Sequence, residues 1–122
     1  MRAIIIFGIH EGYYTTNNEE IDCSVVIPQL QKILKDYKYN HHNERLTGII
    51  STGRAIYEED RGCPSTGEPV IRFETTYNRE KTQSNEYEWR CGVRALAKII
   101  REEYKQTTVT LEFIESSLHY IR

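Results

Sequence analysis

Tyr57 and Glu68 bracket the segment EEDRGCPSTG, which carries three more carboxylates, a thiol, a proline and two glycines. A tight hairpin turns in two to five residues, so ten residues between two strand-like runs exceed what the turn requires. A sheet would hold the two ends while the loop between them stays free to move, an arrangement that suits a binding site. The thiol is the first candidate for chemistry in this segment. Cys63, directly before Pro64, can serve as a nucleophile if a basic group activates it. The four histidines, His10, His41, His42 and His119, are remote from Cys63 in sequence, so an unreactive free thiol is its simpler reading. A solvated acidic loop with a surface tyrosine is the corresponding simple reading of the whole segment.

Other constellations are weaker. His41 and His42 are adjacent, so their side chains diverge instead of converging on a metal. There is no phosphate-binding loop and no dinucleotide fingerprint, and linear order alone supports no serine relay. No metal and no cofactor is expected.

The chain has 122 residues, 39% hydrophobic and 28% charged, with a net charge of −2. That is one ordinary globular domain, spanning 1–122. It creates no field that would gather nucleic acid. The longest apolar run, Ala3 to Ile9, is too short for a membrane span, and with His10 and Glu11 following at once it does not read as a signal peptide. Three widely spaced cysteines without a CxxC pattern argue for a reducing cytoplasm and against a disulfide scaffold. Nine tyrosines are many for this length and point to an interface or ligand contacts.

The elements that must position Tyr57 and Glu68 follow from periodicity. RAIIIFGI reads as a strand, apolar on both sides and so covered on both faces. Glu11 to Ser24 reads as a loop, and a helix entered at Pro28 carries Ile27, Leu30, Ile33, Leu34 and Tyr37 as its apolar stripe, with Asn40 as a cap. Arg45 to Tyr57 reads as a second strand, with bends at Gly48 and Gly53. The third strand starts at Pro69, with Ile71, Phe73, Thr75 and Tyr77 on one side and Val70, Arg72, Glu74 and Thr76 on the other. Asn85 and Glu88 form a capping box for a helix reaching about Lys105, with Trp89, Val93, Leu96, Ala97, Ile100 and Tyr104 as its buried face. The last strand alternates Val109, Leu111 and Phe113 against Thr110, Glu112 and Ile114. The order βαββαβ predicts an α+β, ferredoxin-like fold: a four-stranded antiparallel sheet with two helices on one face. The other face stays open beside an apolar central strand, which predicts a homo-oligomer with sites where subunits meet.

With a tyrosine late in the second strand, a loop, and a glutamate just before an alternating third strand (VIRFE), the layout resembles the phage-encoded S-adenosylmethionine lyases, long described as hydrolases. The likeness spans nearly the whole chain and implies a trimer akin to the P-II-type signalling proteins, with S-adenosylmethionine bound between subunits. It implies a lyase that forms methylthioadenosine and homoserine lactone, with Tyr57 and Glu68 as the catalytic pair. Phe7, Gly8 and Ile9 at the end of the first strand, and Ser65 and Thr66 in the loop, are the substrate-binding candidates by position. Such an enzyme would act in the host cytoplasm, depriving methylation and restriction systems of their methyl donor, with the host S-adenosylmethionine synthetase as a further candidate partner. Cys63, Glu58, Glu59, Asp60 and the stretch HEGYYTTNNEE have no counterpart role in that family. Two other readings compete: a non-catalytic trimeric nucleotide-binding protein, and an inhibitor that presents its acidic loop to a host protein.

Overall fold

The computed structural model describes residues 1–9, 21–41, 44–80, 82 and 84–122. Its elements are β1 (Arg2–Phe7), α1 (Cys23–Asn40), β2 (Ile49–Ala55), a single 3-10 turn (Glu59–Arg61), β3 (Glu68–Thr76), α2 (Glu86–Glu103) and β4 (Thr110–Ile114). The strands form one antiparallel sheet in the order β2-β3-β1-β4, so β1 and β3 are central as the βαββαβ reading requires.

Register sorts the side chains into two faces. Ile5 pairs with Phe73 and Leu111, and Phe7 pairs with Ile71; with Ala3 and Phe113 these face the helices. Val26, Leu30, Ile33 and Tyr37 of α1 and Trp89, Val93, Leu96 and Ile100 of α2 close over them in one buried cluster. The α2 stripe is buried as expected, Tyr104 included. Thr75, the one buried polar side chain among the described residues, donates its hydroxyl to the Thr47 carbonyl at 2.6 Å.

Both helices obey capping rules, but α1 begins earlier than expected. The side chain of Asp22 accepts from the Ser24 amide at 2.9 Å and from its hydroxyl at 2.7 Å, so the helix starts at Cys23 and holds Pro28 inside it. Pro28 removes the hydrogen bond to Ser24, yet both residues lie on the exposed side, where that carbonyl can turn to water. The earlier start also turns the stripe. Val26 is fully buried, while Ile27, expected inside, is 42% exposed. At α2 the predicted cap forms: the Asn85 side-chain oxygen Oδ1 accepts from the Glu88 backbone amide at 2.8 Å, while the Glu88 carboxylate accepts in return from the Asn85 side-chain Nδ2 at 3.2 Å, in place of the backbone N–H of a full capping box.

Strand β2 is shorter than the Arg45–Tyr57 run. Gly48 lies just before it, and a Cβ there would strike the Glu74 carbonyl and the Phe73 ring, so a close backbone approach explains this glycine. Gly53 meets only ordinary contacts. The open face of the sheet also differs from expectation. Ile4 and Ile6 do sit there, but their register partners are Glu74, Glu112, Arg72 and Thr110, and Arg72 pairs with Glu74 at 2.7 Å. It is a mixed polar surface with an aliphatic centre.

Candidate functional site

Ala55, the last residue of β2, pairs with Glu68, the first of β3, so the sheet ends where the Tyr57–Glu68 loop begins. The loop is internally braced. After the 3-10 turn, Gly62 adopts a left-handed conformation (φ 92°), and Gly67 (φ 79°) closes a turn by donating its amide to the Pro64 carbonyl at 2.9 Å. Between them the Cys63 thiol accepts from the Tyr57 amide at 3.5 Å and donates to the Pro64 carbonyl at 3.4 Å. Cys63 thus acts as a strut that ties the tip of the loop to the backbone of Tyr57. The local carboxylates Glu58, Glu59 and Asp60 are exposed, with Glu58 paired to Arg61 at 3.6 Å.

Beside the base of this loop opens a cleft of about 260 Å³. Phe7, Gly8 and Ile9 from the end of β1 form its floor, Glu68, Pro69 and Val70 of β3 one wall, and Gln106, Thr108 and Thr110 the other. The register puts Ile6, Ala55, Glu68, Val70 and Thr110 on the open face of the sheet. The cleft therefore lies at the end of that face, away from the helices. Four of the seven residues expected at a site, Phe7, Gly8, Ile9 and Glu68, are brought together here. Tyr57 is half-buried two residues beyond Ala55 and does not line the cleft; Ser65 and Thr66 are exposed in the loop and do not line it either.

Sequence reasoning missed the second wall. Thr110 was legible in principle, since the parity of β4 sets it opposite Ile6, but no local pattern marks Gln106. The ring of Phe7 packs on that of Tyr104 at 5.2 Å, and the Tyr104 hydroxyl donates to Gln29 at 2.8 Å. Burial first, and then the charge of Glu103, push the Tyr104 hydroxyl above its ordinary pKa, so it stays a neutral structural donor that fixes the cleft floor to both helices.

A larger concavity of about 830 Å³ lies at the other end of the sheet, between Lys38, Gly48, Glu74, Asn78 and Tyr120. It contains none of the expected site residues. Size is outweighed here by convergence: the larger concavity also carries carboxylates, a glycine and polar side chains, but Glu68 and the Phe7–Gly8–Ile9 floor meet at the smaller cleft. His10, His42 and the stretch HEGYYTTNNEE lie outside the described residues. Among those described, no three His, Cys, Asp or Glu side chains are grouped to hold a metal, and no helix is long and apolar enough to cross a membrane.

A SAM lyase family model matches residues 1–122. Among solved structures, the chain is similar to a phage SAM lyase in complex with S-methyl-5'-thioadenosine, at 19% identity and a TM-score of 0.59, covering 90% of this chain and 76% of that one. No curated protein matches.

Proposed function

Because the chain belongs to the SAM lyase family, an enzyme family that degrades S-adenosylmethionine, we propose that it releases methylthioadenosine and homoserine lactone at the cleft beside Glu68. The observation that carries this reading is the convergence of Glu68 with the Phe7–Gly8–Ile9 floor at the open end of the sheet. The solved relative holds methylthioadenosine, the nucleoside such a reaction leaves behind.

The substrate supplies its own nucleophile and leaving group. Its carboxylate attacks the γ-carbon, the carbon–sulfur bond breaks, and the bonding pair leaves on sulfur as a neutral thioether. A five-membered lactone closes with no net proton transfer. The carboxylate and sulfonium charges cancel along the way, so a dry site that enforces the curled conformer accelerates the step through proximity and loss of water. Glu68 holds the substrate's ammonium or a ribose hydroxyl, which fixes the geometry of the tail. Tyr57 does not line the cleft of one subunit, so its ring or hydroxyl meets the sulfonium only once the loop folds in or a neighbouring subunit completes the site, a cation–π contact of about 1 kcal/mol or more when desolvated. Cys63 acts indirectly by bracing the Tyr57 backbone. Ser65 and Thr66 close over the substrate if the loop folds down on it.

The cleft falls below the roughly 300–1,000 Å³ of typical small-molecule sites, and it opens on a sheet face that no helix covers. A neighbouring subunit on that face would enlarge and close it, so we place the complete site between subunits of a homo-oligomer, a trimer by family likeness. Its setting would be a host cell's cytoplasm, where loss of S-adenosylmethionine blunts restriction systems that depend on it.

Incubating the protein with S-adenosylmethionine in ¹⁸O-labelled water and weighing the products tests the reaction. Unlabelled homoserine lactone at the first time points is expected. Labelled homoserine from the outset would replace intramolecular attack with hydrolysis, and unchanged substrate would refute the activity.

A further inference from the structure

The wall formed by the α2–β4 connection is built with unusual care for a linker. Helix α2 ends in a double reverse hydrogen-bond cap: the Lys105 amide donates to the Glu102 carbonyl at 3.2 Å, and the Gln106 amide donates to the Arg101 carbonyl at 2.9 Å. This geometry needs a left-handed residue, ordinarily glycine. Lys105 takes it instead, with φ 51°, the one non-glycine residue of positive φ among those described. The cap delivers Gln106 to the cleft, where its side-chain Nε2 donates to the Tyr104 carbonyl at 3.0 Å. That tether fixes which way round the amide lies, because a flip would set two oxygens against each other. Its carbonyl oxygen Oε1 then lies over Gly8, only 2.8 Å from where a Cβ on Gly8 would stand. The glycine floor leaves the room that this acceptor occupies.

We infer that Gln106 is a specificity-determining residue that reads the purine edge of the nucleoside, accepting a hydrogen bond from the exocyclic amine of adenine. The inference rests on the reading of this cleft as the substrate site. Glu68, on the facing wall, is the group suited to the charged ammonium or to a ribose hydroxyl, whereas a neutral amide suits a neutral amine. An amide carbonyl held in one orientation accepts from an amine but opposes the carbonyl oxygen that hypoxanthine carries at the same position. Rejection through unpaired or opposed polar groups is a stronger filter than loss of an apolar contact.

The test measures the binding of methylthioadenosine and methylthioinosine by calorimetry, with S-adenosylmethionine turnover followed in the same preparations. Wild type is expected to bind the adenine nucleoside about tenfold or more tightly than the hypoxanthine one, in line with base-edge hydrogen bonding elsewhere. Gln106→Met should bring that ratio close to one. Gly8→Ala, whose new methyl group must displace Oε1, should lower the same ratio and stands in if Gln106→Met fails to fold. A wild type without preference, or a variant that retains it, overturns the role of Gln106. If the protein consumes S-adenosylmethionine but binds both nucleosides alike, the site reading survives and this inference falls. If it consumes none and binds neither, both fall together.

Discussion

At the scale of single residues, the site separates into groups that touch substrate and groups that hold them. Glu68 is in the first class under the proposed reading. Glu68→Gln keeps shape and removes charge, so its loss of a charged hydrogen bond should lower kcat/KM about 10- to 100-fold, with unchanged thermal stability as the control. Tyr57→Phe should cost several-fold and Tyr57→Ala more, because only the latter loses the ring; equal effects in a steady-state assay would assign the role to the hydroxyl alone. Cys63 is in the second class. Its sulfur both accepts and donates, and serine can do the same, so Cys63→Ser should keep turnover within a few-fold of wild type. Loss of activity by two orders of magnitude would restore the nucleophile reading. These assignments could not come from composition, since Cys63 looks equally reactive in the sequence whether or not a base lies near it.

At the scale of elements, termini decide more than interiors. The Asn85–Glu88 cap was legible because capping is local, four residues reading one another across a single turn. Asn85→Ala should lower stability by about 1 kcal/mol in urea unfolding. The start of α1 was misread because Pro28 is a strong helix-entry signal, and the Asp22 cap with burial of Val26 outweighed it. The other end of α2 offers the opposite test. Lys105 holds a left-handed conformation that glycine would hold without side-chain strain, so in urea unfolding Lys105→Gly should be more stable than Lys105→Ala, which loses the same side chain but keeps the strain, by about 1 kcal/mol at most once the added chain entropy is counted. Gly48→Ala should act the other way, by about 1–3 kcal/mol, because the neighbours it would strike include the Glu74 backbone, which cannot swing aside.

At the scale of the whole molecule, the two helices and the sheet share one core, and Tyr37 links its parts. The ring stacks on His41 at 4.0 Å, and its hydroxyl lies against Gly92 of α2. Burial, with the Glu44 carboxylate adding to it, pushes the Tyr37 hydroxyl up to about 12 from an ordinary 10.0. The folded state therefore keeps its proton where the unfolded chain has begun to lose it. This contribution to stability is full below pH 10 and is lost as pH rises from 10 through about 12. Urea midpoints should fall between pH 9 and pH 11, and Tyr37→Phe should fall less, because it has no proton to lose. The open sheet face belongs to the same scale. Sedimentation should reveal a species heavier than the 14.4 kDa chain; a monomer with full activity would put the complete site within one subunit.

By itself the sequence determined the element order, the buried face of α2, the alternation of β3 and β4 and the cap at Asn85. Each rests on interactions within one turn or one strand, where spacing alone sets which side chains meet. Tertiary structure alone decided the rest. Glu68 reaches Phe7, Gly8 and Ile9 because β3 pairs with β1, and Gln106 faces them because β4 pairs on the other side of β1. The open face turned out mixed for the same reason, since the neighbours of Ile4 and Ile6 are chosen by pairing across the sheet. Such contacts join residues 59 to 108 positions apart, a separation over which local spacing carries no information.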